Sequence, residues 1–315
     1  MIKYVIRGDN MFKNTIDNKR YYTLNCFFRG KFGSKVFKVP LDIGNSCPNY
    51  ASGGCIYCSG RSVSNISDGS LDIVSQFNKA KEIMERKWPN SLYIAYFQSG
   101  TNTYGDINKF KSYVDKLLVI NKLVGISIAT RPDALSDEWL DYLSKLNKEI
   151  FLTVELGLQS SNDETLKYIN RGHDVGCFTE AVKKLKERGI FTVAHIINGL
   201  PNESRDDMIN TVKYLNKLRI DGIKIHMLYI PKNTKLASIY KCEKFHVLSR
   251  DEYVDIVCNQ LRYLNENIVI ERITGDPIES ELIEPKWLVK KFCVLNEIDK
   301  EMVKRDIYQG DLVKD

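Results

Sequence analysis

Three cysteines, Cys47, Cys55 and Cys58, fall on one short loop with the spacing C-x7-C-x2-C. Three thiolates from one loop can grip a soft metal centre. Gly53 and Gly54 let the backbone fold tightly beside Cys55. A structural zinc normally takes four ligands. A [4Fe–4S] cluster on three thiolates keeps one iron open. That iron could take the amino and carboxylate groups of S-adenosylmethionine. Electron transfer would then cleave the sulfonium and give a 5′-deoxyadenosyl radical. Zinc with a distant fourth ligand such as Cys26 stands as the alternative. The remaining cysteines, Cys177, Cys242, Cys258 and Cys293 among them, are isolated and read as small buried hydrophobes.

The elements that must position this loop follow a strand–helix rhythm. Strand-like runs lie at 36–43, 92–97, 124–129, 150–156, 191–197 and 222–228, with a seventh at 268–273. Amphipathic segments lie at 72–88, 108–121, 137–146, 175–188, 204–218 and 250–265. Ser136 reads as an N-cap and Gly189 as a helix terminator. Units of this length imply βαβ connections and parallel strands, in an open doubly wound sheet or a full or partial α/β barrel. The cysteine loop follows the first strand. The glycine fingerprint of dinucleotide binding and the phosphate loop are both absent. Residues 1–34 read as an arm or cap, 35–265 as the barrel and 266–315 as an extension.

Parallel strands buried on both faces should be apolar, so polar residues near their C-terminal ends read as functional. Gln98, Ser99 and Gly100 follow the second strand, and Thr130 and Arg131 end the third. Arg131 could bind a carboxylate or phosphate bidentately, or form a surface ion pair. Glu155 lies inside an apolar strand, on one face with Gly157 and Gln159. A lone buried carboxylate is costly, so its partners should be ribose hydroxyls or a cationic side chain. His195 begins the end of the fifth strand. Lys224 and His226 alternate on the sixth and so share a face. If that face is interior they line a substrate cavity; otherwise each histidine is a satisfied core residue. Lys286, Lys290 and Lys291 stand at helical spacing beside Trp287, a face that could meet RNA or simply be solvated.

The chain has 315 residues, 43% hydrophobic and 27% charged, which excludes disordered and fibrous classes. No apolar run reaches the length of about 20 residues that a membrane span needs. The stretch 1–12 lacks a signal-peptide core, and these features favour the cytoplasm. A net charge of +6 is compatible with an RNA partner, and equally with a Lys-, Asn- and Ile-rich composition.

The ordered segments Asn18-Lys19-Arg20-Tyr21, Gly54-Cys55-Ile56-Tyr57-Cys58, Ala95-Tyr96-Phe97-Gln98, Ala129-Thr130-Arg131-Pro132-Asp133, Val154-Glu155-Leu156-Gly157-Leu158-Gln159-Ser160, Asn170-Arg171-Gly172-His173, Asn198-Gly199-Leu200-Pro201 and Arg272-Ile273-Thr274-Gly275-Asp276 carry a family resemblance. The sequence resembles the radical S-adenosylmethionine superfamily, and within it the YhcC/YtqA-type family, related to the radical domain of elongator subunit three. The resemblance departs in one place: the seven residues between Cys47 and Cys55 make a shorter loop than the family usually has.

The resemblance implies a partial (β/α)6 TIM-like barrel. Cys47, Cys55 and Cys58 would hold the cluster. Gln98, Ser99, Gly100, Thr130, Arg131, Glu155, Gln159 and Arg171 would hold S-adenosylmethionine, while Lys224, His195 and His226 would serve the substrate. A one-electron reductant such as flavodoxin or ferredoxin is implied. One branch looks like tRNA wobble-uridine maturation, which would convert 5-carboxymethylaminomethyluridine to 5-aminomethyluridine. A radical enzyme of a small metabolite or peptide and a non-catalytic metal-cluster module that binds RNA are the competing expectations.

Overall fold

The computed structural model describes residues 14–15, 19–60 and 69–313. The stretch 1–12 and Asn18 lie outside the described residues. The strands are β1 (Val36–Leu41), β2 (Leu92–Phe97), β3 (Leu123–Thr130), β4 (Phe151–Gln159), β5 (Phe191–Asn198), β6 (Gly222–Met227), β7 (Ile230–Pro231), β8 (Val269–Arg272) and β9 (Leu282–Glu284). The helices are α1 (Leu24–Phe32), α2 (Ile73–Lys87), α3 (Ile107–Leu118), α4 (Asp137–Glu149), α5 (Asp163–Tyr168), α6 (Val175–Glu187), α7 (Arg205–Lys217), α8 (Lys235–Cys242), α9 (Arg250–Tyr263) and α10 (Lys291–Lys304).

Seven strands form one parallel sheet in the order β1-β2-β3-β4-β5-β6-β8. Flat, such a sheet would hold its edges about 29 Å apart, at roughly 4.8 Å per strand. Yet Lys38 on edge strand β1 meets Glu271 on edge strand β8 at 2.6 Å. The sheet is therefore curled into a partial barrel, as the βα rhythm and the resemblance imply. The strand at the far edge lies beyond residue 265, so the sheet itself crosses that expected division.

Helix identity follows from capping and amphipathic spacing. Ser136, Asp174 and Ser204 accept backbone N–H groups at the starts of α4, α6 and α7. Buried Phe110, Val114 and Leu117 give α3 its inner face. The main core lies between these helices and the sheet.

Of the arm and the cap that the sequence allows for the N-terminal segment, the described residues form a cap. Thr23 caps α1 by accepting from Cys26 N, and Gly33 ends it at φ 68°. Phe27 packs its ring 5.0 Å from Phe191 and 6.0 Å from Phe151, the first residues of β5 and β4. Tyr22 O accepts from Ile270 N on β8. This segment thus covers the N-terminal end of the barrel and extends its open edge. Cys26 lies there too, at the end of the strands opposite Cys47, which removes it as a fourth zinc ligand.

The lysines at 286–291 do not share one helix. A 3-10 turn, Lys286–Lys290, precedes α10. Lys286 donates to Leu282 O, Lys291 pairs with Asp276, and Trp287 donates to Leu248 O against the Tyr253 ring. That segment is a packed junction on which Lys286 and Lys290 stay exposed. Among the described residues no helix is long and apolar enough to cross a membrane.

Candidate active site

The cysteine loop leaves the C-terminal end of β1 and is clamped from three sides. A 3-10 turn, Pro48–Ser52, follows Cys47 and closes on Gly53 at φ 87°. Asn170 Nδ2 donates to Ser52 O at 2.9 Å and Gly54 O at 2.7 Å. Asn49 Nδ2 returns the contact, donating to Asn170 O at 2.7 Å. Ile56 is buried in a small apolar cluster with Leu166, Ile169, Leu200, Leu228, Ile230 and Leu236. Its backbone also bonds Ile169 and Leu236. A buried apolar residue between Cys55 and Cys58 thus fixes the direction of both thiols.

Each thiol meets a hydrogen-bond donor. Asn49 Nδ2 lies 3.4 Å and Arg171 Nη1 3.7 Å from Cys55 Sγ. Arg131 Nη1 lies 4.0 Å from Cys47 Sγ, and Tyr50 Oη 3.5 Å from Cys58 Sγ. Burial raises the Tyr50 pKa, and the hydrogen bond to Cys58 and the charges of the three thiolates raise it further. Arg131 is held by both oxygens of Asp133, at 2.8 and 2.7 Å. Arg171 Nη2 donates to Gly157 O at 2.7 Å. A Cβ on Gly157 would stand 2.6 Å from both Arg171 Nη2 and Gln159 Nε2, so glycine is what brings those groups together.

The other expected cofactor residues divide. Gly100, at φ 73°, backs onto Asn45 O, where a Cβ would stand 2.0 Å away. It gives room to the cysteine loop. Thr130 shares its hydroxyl with Thr103 at 2.5 Å. Gln98 N donates to Leu41 O, and Ser99 is buried at the same strand end. Gln159 sits at a register shift with φ 77°, so it breaks the strict alternation with Glu155.

Glu155 belongs to a second cluster, deeper in the barrel. Its Oε1 accepts from Lys38 Nζ at 2.8 Å and Ser127 Oγ at 2.8 Å. Its Oε2 meets Tyr96 Oη at 2.8 Å, His195 Nε2 at 2.8 Å and Lys224 Nζ at 2.5 Å. Glu271 joins through Lys38, and the His195 and His226 rings lie 5.2 Å apart. Of the two partners the sequence offered Glu155, the cationic one is present. Burial would raise its pKa, but Lys224 and Lys38 outweigh burial and hold the carboxylate well below its usual range. Burial lowers the pKa of both histidines, and Lys224 lowers it further, so both are neutral.

Every strand of the sheet contributes to this ring, yet Lys38, Tyr96, Ser127 and Glu271 are absent from the sequence-based site. A lysine in the middle of an apolar strand was the available signal. The cysteine loop likewise draws on Asn49, Tyr50 and Asn170, which the spacing of the thiols alone does not mark.

The donor set at the loop fits an iron–sulfur cluster with a charged ligand. Three thiols lie under two guanidiniums, and two buried atoms beside them, Arg171 Nε and His173 Nε2, lack partners. Burial and the two arginines push the His173 pKa down to about 4. Among the described residues no three of His, Cys, Asp or Glu form a group that could hold a metal ion. A four-iron cluster asks for a wider spread, since each thiolate takes a different iron.

The sequence matches the Radical SAM superfamily over residues 42–215 and the Radical_SAM C-terminal domain over 220–304. It is 44% identical to YtqA of Bacillus subtilis over 308 residues, covering 96% of this chain and 95% of that protein. It is 27% identical to tRNA-2-methylthio-N(6)-dimethylallyladenosine synthase of Fusobacterium nucleatum, covering 66% of this chain and 47% of that protein. The fold is similar to that of the archaeal Methanocaldococcus infernus Elp3, with TM-score 0.70 at 20% identity, covering 88% of this chain and 64% of that one. The chain thus belongs to the radical SAM superfamily, whose enzymes use a [4Fe–4S] cluster with S-adenosylmethionine, and within it to the YhcC/YtqA-type family.

Proposed function

We propose that this radical SAM enzyme acts on tRNA, removing the glycine-derived carboxymethyl group of 5-carboxymethylaminomethyluridine to leave 5-aminomethyluridine. The observation that carries the reading is the sequence of two unlike clusters along one barrel. An under-satisfied thiol and arginine mouth stands above a closed, buried ring of polar side chains.

Cys47, Cys55 and Cys58 would hold the cluster. Arg171, Arg131, Gln159, Gln98 and Ser99 would hold S-adenosylmethionine at the mouth. When bound, the pair supplies a 5′-deoxyadenosyl radical that takes a hydrogen atom from an unreactive C–H bond. Flavodoxin or ferredoxin would be a suitable electron donor.

The chain's own residues supply orientation and proton handling. An ionised Glu155 can only accept, so His195 carries its proton on Nε2 and keeps a lone pair on Nδ1. His195 is then able to take a proton from the substrate amine, with neutral His226 beside it. Lys224 is already engaged by Glu155 and by Tyr96 Oη at 3.1 Å, so it holds the ring in place. Arg272 has no acidic partner among the described residues. Its charge reaches His226 and also Tyr229, which feels Cys58 as well. An exposed guanidinium at the C-terminal end of β8 suits the carboxylate of the substrate.

Support for tRNA comes from the resemblance to the wobble-uridine branch and from the tRNA-modifying relative. One observation favours a small carboxylated metabolite instead. Many of the chain's cations stand in the last turns of helices, Lys87 in α2, Lys148 in α4 and Lys186 in α6 among them. There they complement helix dipoles and need no RNA.

The test is anaerobic. Reconstituted protein, S-adenosylmethionine and dithionite are incubated with tRNA carrying 5-carboxymethylaminomethyluridine, and 5′-deoxyadenosine and nucleosides are measured. The expected result is 5′-deoxyadenosine release that rises with tRNA, with 5-aminomethyluridine formed. Release indifferent to tRNA would move the substrate to a metabolite.

A further inference from the structure

The donors around the thiols are unevenly committed. Arg131 is tied to Asp133 and Arg171 to Gly157 O, while Asn49 also bonds Asn170 O. Those three build the loop whether or not a cluster is present. Tyr50 is different. The residue is 41% exposed, and its hydroxyl has no hydrogen-bond partner among the described residues besides Cys58 Sγ.

The surrounding backbone is shaped for that ring. Gly54 and Gly60 take φ 72° and 80°, and a Cβ on either would stand 3.2 Å from Tyr50, at the ring for Gly54 and the hydroxyl for Gly60. Exposed aromatic surface is thus held over an exposed thiol, with the O–H at hydrogen-bond distance to sulfur. A cluster-bound Cys58 thiolate has no proton to give, so the phenol is the donor in this pair.

We propose that Tyr50 is a positioning residue that sets the reduction potential of the cluster through its hydrogen bond to Cys58. This rests on Cys47, Cys55 and Cys58 being the cluster ligands. One-electron reduction adds negative charge that spreads onto the sulfurs. A donor at sulfur stabilises the reduced form more than the oxidised one and raises the potential. Tyr50 makes electron uptake from a one-electron donor easier without touching the iron, the cofactor or the substrate.

The experiment is a potentiometric titration of the reconstituted cluster in the full chain, followed by its reduced-state magnetic resonance signal, in the native protein and in Tyr50→Phe. Phenylalanine keeps the ring against both glycines and removes only the O–H. The expected result is unchanged iron and sulfide content with a lower potential. A tenfold shift of the reduction equilibrium, about 59 mV for one electron, is the expected scale. An equal potential in the two fully loaded proteins overturns the proposal. So does loss of the cluster in Tyr50→Phe, because the hydroxyl is then a requirement for assembly. Native protein without a four-iron cluster overturns the ligand assignment itself, and the native iron count tells that failure apart from the other two.

Discussion

The mouth and the middle of the barrel solve opposite problems with similar residues. In the middle, the two oxygens of Glu155 meet five donors, and none of its polar partners is left buried and unpaired among the described residues. At the mouth, Arg171 Nε and His173 Nε2 are buried without partners beside three thiols. The first cluster is complete without any ligand and has a geometry to impose. The second is complete only when something charged arrives. A closed polar ring beneath an open one gives a radical reaction a rigid floor and a mouth that ligand binding finishes.

Cys55→Ala tests the mouth most severely. The expected outcome is loss of cluster iron and of all 5′-deoxyadenosine release, with folding stability changed by only about 1 kcal/mol. Iron analysis and the visible spectrum check it. Full cluster content in the variant would remove the mouth as the metal site.

Glu155→Gln tests the middle, and the expected effect is on stability. It leaves the ammoniums of Lys38 and Lys224 with Glu271 alone, at 2.6 and 3.6 Å. Removing one partner from a buried charge network costs about 3–5 kcal/mol. Urea unfolding of the cluster-free proteins measures it. A loss under about 1 kcal/mol would mean that the ring is looser than its geometry, and the contrast with the mouth would fail.

Gly100→Ala joins the two regions, because it sits at the end of β2 and braces the loop before Cys47. A side chain there meets Asn45 O and a left-handed backbone at once. The expected cost is about 1–3 kcal/mol, together with incomplete cluster loading. Full loading with unchanged stability would show that the loop does not depend on that brace.

What the sequence reveals divides along the same line. The thiols of the mouth lie within twelve residues of one another, so their spacing is local and legible. The ring around Glu155 joins Lys38, Tyr96, Ser127, His195 and Lys224, from 28 to 117 positions away in the chain. Only the register of five strand pairs brings them together. Glu155 and Lys224 stand out as polar residues in apolar strands, but Lys38 obeys the same rule and lies away from the strand end where function is usually sought. The seven strands of the main sheet and all the long helices but α10 follow from periodicity and caps. Helix α1 does not, although Thr23 and Gly33 carry its start and stop signals, because its aromatic residues are spaced for the barrel floor rather than for one helical stripe.

Glu203 gives the smallest effect and the finest test of the contrast. It lies just past β5 and accepts from Ser160, just past β4, so it belongs to the mouth side. Unlike Glu155 it has no cation beside it among the described residues. Burial pushes its pKa up to about 7 from 4.5, against the opposing hydrogen bonds of Ser160 and Thr165. The folded protein therefore holds this proton more tightly than the unfolded chain between those two values. Stability must fall as pH rises from 4.5 to about 7, and the full penalty remains above that. Because the carboxyl is partly open to water, about 1–2 kcal/mol is the expected span. Thermal unfolding of the native protein and of Glu203→Gln across this window measures it, with the variant expected to show the flatter profile. Equal slopes would mean that Glu203 has a compensating charge, as Glu155 does, and that the mouth is less open than its unpaired atoms make it.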